Sequence, residues 1–132
     1  MPFVRVTVFT PKLSTEQIRR LERETTELMI SIMRKPIAGT AVLVEHIHRG
    51  DWNIAGKKKT VAAHVEATIG RDTNSPAEKA KFIRGMMALL RASLGPELAE
   101  ETYVVLHEID VGSYGRGGLT RAERDQQRST SL

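Results

Sequence analysis

Residues 2–33 read PFVRVTVFTPKLSTEQIRRLERETTELMISIM, and the fold turns on this stretch. Val4, Val6 and Val8 alternate with Arg5 and Thr7, the two-residue period of a strand with one buried face. Thr10-Pro11-Lys12-Leu13 breaks that pattern. Ser14 then opens a helix, with Gln17 three residues on to complete a capping box. Ile18, Leu21, Leu28, Met29, Ile32 and Met33 supply one apolar stripe at helical spacing, and Lys35-Pro36 ends it. A second strand is predicted from Ala41 to about Ile47, with Gly50-Asp51-Trp52-Asn53 turning away from it.

The rest of the chain repeats this order. Val61 to Ile69 reads as a strand closed by Gly70-Arg71-Asp72. Ser75-Pro76-Ala77-Glu78 is a helix start with an N-cap serine, a proline at the first helical position and a glutamate at the third. Phe82, Ile83, Met86, Met87, Leu90 and Leu94 form its stripe before Gly95-Pro96 stops it, and Tyr103 to Ile109 is the fourth strand. Ser14 matches Ser75, Pro36 matches Pro96, and Gly50-Asp51-Trp52 matches Gly112-Ser113-Tyr114, each about 60 residues apart. An α/β chain of two tandem β-α-β units, about 2–56 and 60–118, follows from that repeat. Parallel strands within each unit require right-handed crossovers, so two units side by side predict a four-stranded sheet with both helices on one face. The other face would carry residues such as Phe3, Phe9, Leu43 and Ala67, an apolar back that a closed homo-oligomer would cover. Lys57-Lys58-Lys59 reads as a solvated linker between the units rather than a nucleic-acid patch, and Arg121 to Leu132 as a polar, mobile tail.

Composition narrows the chemistry. The 132 residues make one domain and include no cysteine, which excludes disulfides, thiolate nucleophiles and cysteine-ligated metals. Aromatic residues are 5% of the chain, few for stacking on bases, and the net charge of +4 suits nucleic acid or small carboxylates. No stretch has the apolar length of a membrane helix and the N-terminus does not read as a signal peptide, so a cytoplasmic protein without membrane attachment is expected. No phosphate-binding loop, dinucleotide fingerprint, zinc-protease motif or serine elbow is present. His46 and His48 share a sheet face, but no third ligand lies near in sequence, so no metal site is expected. There remains Pro2: a small second residue predicts removal of Met1, which would expose a secondary amine.

Joined to the duplicated unit, that proline makes the sequence resemble the tautomerase superfamily, in particular its fused members built from two 4-oxalocrotonate tautomerase units. The matching residues are Pro2-Phe3-Val4-Arg5-Val6, the helix from Ser14 to Met33, and Gly50-Asp51-Trp52-Asn53-Ile54-Ala55-Gly56. In the second half they are Ile69-Gly70-Arg71, Ser75-Pro76-Ala77-Glu78 and Gly112-Ser113-Tyr114-Gly115-Arg116-Gly117-Gly118, leaving out only the last dozen residues. The resemblance implies a homotrimer and a cofactor-independent keto–enol tautomerase acting on a small carboxylate, with Pro2 as general base or acid. The family's strand-end arginine falls on Lys12 in the first unit and Arg71 in the second, and its aromatic after the glycine turn on Trp52 and Tyr114. A further family arginine falls near Ala41 and Tyr103 and is absent from both units.

Only one end of the duplicated chain can carry a free amine, because the second unit starts mid-chain at Val61. Antiparallel pairing of the two first strands would set Arg71 near Pro2 and Lys12 near Val61, so Arg71 is the expected carboxylate partner. Trp52 would exclude water, and Asn53 or Arg116 could donate to the oxyanion. Each has a plainer reading: Arg71 as a surface residue, Trp52 as interface core, Arg116 as a solvated turn, Lys12 as structural. Hydrolytic dehalogenation or β-keto acid decarboxylation, as in some fused relatives, is a second enzymatic reading that needs a carboxylate partner. A non-catalytic oligomeric binding module is a third.

Overall fold

The computed structural model describes residues 1–131. The first unit is strand β1 (Phe3–Phe9), helix α1 (Thr15–Ser31), one 3₁₀ turn at Ile37–Gly39 and strand β2 (Ala41–Ile47). A hairpin follows, β3 (Trp52–Ile54) paired with β4 (Lys57–Lys59). The second unit runs through β5 (Ala62–Gly70), α2 (Pro76–Leu94) and β6 (Tyr103–Ile109), then hairpin β7 (Gly115–Arg116) with β8 (Leu119–Thr120), and ends in helix α3 (Arg121–Ser131).

The four long strands make one sheet in the order β2-β1-β5-β6. β1 and β5 run antiparallel in the centre, and each outer strand runs parallel to its own unit's first strand. That is the arrangement two fused β-α-β units demand. Val4, Val6 and Val8 are fully buried, as are Val65, Ala67 and Ile69 opposite them, because one sheet face packs on Leu21, Met29 and Met33 of the first unit and Phe82, Met86 and Leu90 of α2. Both helices start with complete capping boxes, Ser14 with Gln17 and Ser75 with Glu78. Each box also ties the helices together. Gln17 donates from Nε2 to the Ser93 carbonyl at 2.8 Å, and Glu78 accepts from Arg34, just past the end of α1.

Three expectations are corrected. Lys57-Lys58-Lys59 is not a linker but an outer strand, and the Ala55-Gly56 turn before it has positive φ at both residues (55° and 77°), the tight geometry of a two-residue hairpin. The segment from Arg121 is helical, not a mobile tail: the Thr120 hydroxyl accepts from the Glu123 N–H, and Arg121 pairs with Asp125 one turn on; Leu132 lies outside the described residues. The back of the sheet is also less apolar than expected. Ala67 pairs with Val4 and therefore faces the helices. The centre of the back face is charged instead, with Arg5 on Glu45 at 3.2 Å and Glu66 between His107 (3.4 Å) and His64 (3.6 Å). Exposed apolar groups remain on the outer strands, at Leu43, Ile47 and Tyr103. No described helix is long and apolar enough to cross a membrane.

Candidate active site at the amino terminus

The central strand pair decides what surrounds the N-terminus. Phe3 is opposite Thr68 in the antiparallel ladder, so the two residues before Phe3 run on beside Ile69 and Gly70. On the other side Phe3 is level with Ala41, whose N–H donates to the Pro2 carbonyl at 3.1 Å. Met1 lines a cavity of about 340 Å³, and Pro2, the next residue along the chain, is itself buried. The other walls come from the loop after α1 (Met33 to Pro36, and Gly39), from Gly70 and Thr73, from Tyr114 to Arg116 on the second hairpin, and from α3.

The lining is strongly cationic. Arg34, Lys35, Arg116, Arg121, Arg124 and Arg128 all border the cavity, and no aspartate or glutamate is among its described lining residues. Arg34 is neutralised by Glu78 and Arg121 by Asp125. The Lys35 ammonium donates to the Thr73 hydroxyl at 2.8 Å, which in turn donates to the Gly70 carbonyl. Burial, then the neighbouring Arg34 and Arg121, lower the Lys35 pKa below its ordinary value. The terminal amine, here that of Met1, is also lowered, first by burial and then by Arg116, Arg121 and Lys35. The Tyr114 hydroxyl is buried and, after Asp125, helps to raise the Arg121 pKa by charge and by a hydrogen-bond approach too loose for good geometry.

The residues singled out in the sequence divide between the two ends of the sheet. Tyr114 and Arg116 line the cavity together with Met1, whose chain neighbour Pro2 is buried behind the lining. Arg71 follows β5 at this same end, and its N–H donates to the Ile109 carbonyl, but its guanidinium pairs with Asp110 at 3.0 Å and does not line the cavity. Trp52 packs on Phe9 (ring centres 6.0 Å apart), at the far end of β1 and so roughly 20 Å from Pro2. Asn53 is with it on β3. Lys12 lies at that end too, in a more open depression with Thr10, Gln17 and Val61, where the second unit begins and no free amine exists. Lys35, Arg124 and Arg128 were not singled out. The cue for α3 was present, since Thr120-Arg121-Ala122-Glu123 has the form of a helix start. His46 and His48 stack at 5.4 Å, with the His46 Nε2 on the Thr10 carbonyl, and no described group of three side chains could hold a metal.

The tautomerase enzyme family matches residues 2–62, which span the whole first unit. This first unit is similar to the tautomerase family. The complete chain has the fold of fused 4-oxalocrotonate tautomerases. It superposes on Pt0534 inactivated by 2-oxo-3-pentynoate with a TM-score of 0.81 at 19% identity, covering 91% of this chain and 96% of that one. A fused 4-OT described as a symmetric trimer gives 0.80 at 18% identity, over 92% and 98% of the two chains. The macrophage migration inhibitory factor-like protein of Entamoeba histolytica gives 0.71 at 15%, over 90% and 97%. No curated protein matches this tautomerase-like chain by sequence.

Proposed function

We propose that the protein is a keto–enol tautomerase of a small α-keto acid, with the amino-terminal nitrogen of Pro2 as its base. The observation that carries this is the cation-lined cavity at the amino terminus, next to a Pro2 whose carbonyl is held by the Ala41 N–H. A secondary amine that is neutral near pH 7 can accept a proton and return it. In ketonisation, Pro2 takes the enol hydroxyl proton, the carbonyl re-forms, and the same proton is delivered to the adjacent carbon. Arg116 holds the substrate carboxylate through its planar fork, and Lys35, anchored on Thr73, stabilises negative charge on the oxygen. Arg71 is placed to act only if it leaves Asp110. Trp52, Asn53 and Lys12 are too far along the sheet to serve their own chain's Pro2, and would reach such a cavity only from another protomer of a homotrimer. A symmetric trimer is the assembly described for one of the fused structures. The reaction needs no cofactor, and the expected setting is the cytoplasm.

Hydrolytic dehalogenation has less support, because the described lining offers no carboxylate to activate water. The test is ketonisation of phenylenolpyruvate by protein whose intact mass shows loss of Met1. Pro2→Ala is expected to cost about 10²–10⁴-fold in kcat/KM. Unchanged activity in that variant, or full activity with Met1 retained, overturns the assignment.

A further inference from the structure

Strands β7 and β8 pair over two residues each, with Gly117 and Gly118 between them at positive φ (59° and 84°). A hairpin that short does not hold itself in water, yet it carries Arg116 on the cavity wall. The Arg116 guanidinium reaches across to the first unit: a Cβ on Gly39, in the turn after α1, would lie 3.4 Å from Arg116 Nη1. Where that guanidinium sits therefore depends on what fixes the hairpin.

Helix α3 supplies the fixing. It starts directly after β8, and its first turn is bonded back onto the segment before it. Arg121 N–H donates to the Tyr114 carbonyl (3.1 Å), Ala122 N–H to the Val111 carbonyl (3.4 Å) and Glu123 N–H to the Thr120 hydroxyl (3.0 Å). These bonds hold the base of the hairpin. Arg124 reaches further along it, and its Nη2 donates to the Arg116 carbonyl at 2.8 Å. A bond from a charged donor is roughly twice as strong as one between neutral groups. Gly117 keeps the way open: a Cβ there would lie 2.9 Å from Arg124 Nη2 and would displace it. Arg124 Nε is buried with no hydrogen-bond acceptor. With one nitrogen on a carbonyl and another enclosed, this guanidinium is committed to the hairpin rather than open to a ligand.

We propose that Arg124 is a positioning residue: by holding the Arg116 carbonyl it pins the β7–β8 hairpin to α3 and keeps the Arg116 guanidinium on the cavity wall. Its effect on the reaction passes through Arg116. This rests on the role given above to Arg116 as partner of the substrate carboxylate, but the hold on the hairpin can be measured without turnover.

Arg124→Met keeps the apolar stem and removes the donors. Hydrogen exchange on the full chain is expected to run about tenfold faster across 114–120 in this variant than in wild type, with β1 and β5 unchanged. Equal exchange across the hairpin in the two proteins overturns the proposal, and so does an equal quickening in β1 and β5, which would be a general loosening. In ketonisation of phenylenolpyruvate, Arg124→Met should raise KM about tenfold with kcat little changed, because a displaced Arg116 weakens ground state and transition state alike. Arg116→Ala should raise KM at least as far, and adding Arg124→Met to it should change KM by less than about twofold. A further tenfold rise in that background would mean that Arg124 meets the substrate itself, and overturns the proposal. An unchanged KM in Arg124→Met alone overturns it too. If wild type does not ketonise the enol, the tautomerase reading falls, and the exchange comparison decides whether Arg124 holds the hairpin.

Discussion

Gly70→Ala probes the contact that shapes the cavity floor. Gly70 is buried at the end of β5 beside the N-terminus, and its φ is not in the left-handed region, so alanine suits the backbone. The space does not suit it: a Cβ there would lie 2.7 Å from the Tyr114 hydroxyl, 3.3 Å from Thr73 Cγ2 and 3.6 Å from Tyr114 Cζ. Overpacking of this kind costs roughly 1–3 kcal/mol, while the loss of glycine's freedom in the unfolded chain returns about 0.4–1 kcal/mol. A net destabilisation of about 0.5–2 kcal/mol is expected. Tyr114→Phe removes the hydroxyl that causes the closest approach, and that hydroxyl is buried with no well-formed hydrogen bond, only a loose approach to Arg121, so alone it should be close to neutral. The double variant then keeps only the ordinary 3.6 Å contact and the tight one to Thr73, and should recover most of the loss, a coupling of about 1 kcal/mol. Urea denaturation of the four proteins at one protomer concentration measures this, since assembly would otherwise shift the midpoints. If Gly70→Ala and the double variant are equally destabilised, Tyr114 is not what the new methyl group meets.

Other consequences are simpler to check. The acid limb of kcat/KM is expected to rise as the terminal nitrogen loses its proton; Arg116→Ala removes a cation from the cavity wall that disfavours a charged amine, so the limb should move to higher pH, and a shift the other way contradicts the assignment. The Glu78 carboxyl is held at about 2, first by Arg34 and then by the Ser75 N–H. Its folded pKa lies below the unfolded value of about 4.5, so its contribution to stability is complete above that pH and is lost as pH falls toward 2. Denaturation midpoints of Glu78→Gln should therefore depend less on pH in that window than those of wild type. Phe82 is fully buried between sheet and helices, and Phe82→Ala is expected to lose about 3–5 kcal/mol in the same denaturation assay. A loss under 1 kcal/mol would mean the two units do not share one core.

The β-α-β repeat was legible because its signals are local. Alternation at Val4, Val6 and Val8, and the two capping boxes at Ser14 and Ser75, need only neighbouring residues to be read. That the end of β5 and Arg71 lie beside the start of β1 followed from the antiparallel pairing of the two first strands. Side-chain direction did not follow. Arg71 was assigned to the right end, yet Asp110, on the loop after β6, claims its guanidinium across a distance that strand spacing cannot reveal. Lys57-Lys58-Lys59 looked like a solvated linker because an exposed outer strand is held by backbone pairing, which leaves its side chains free to be lysine. The phase of β5 was also misread at Ala67, where a small residue gives little hydrophobic signal for either face. Helix α3 is polar all round, so only its first turn announced it.

The duplication bears on how such a site can change over generations. An assembly built from single units must display the same sequence at every equivalent end, so any addition that suits one site is imposed on all of them. Here the end at Pro2 and the end at Val61 are encoded separately, and the chain's C-terminal segment closes over only the first. A helix of arginines that would crowd a symmetric set of sites can be attached once per chain, and the Val61 end is free to drift toward a purely structural role. Fusion halves the number of amine-bearing cavities in return for the freedom to tailor each one.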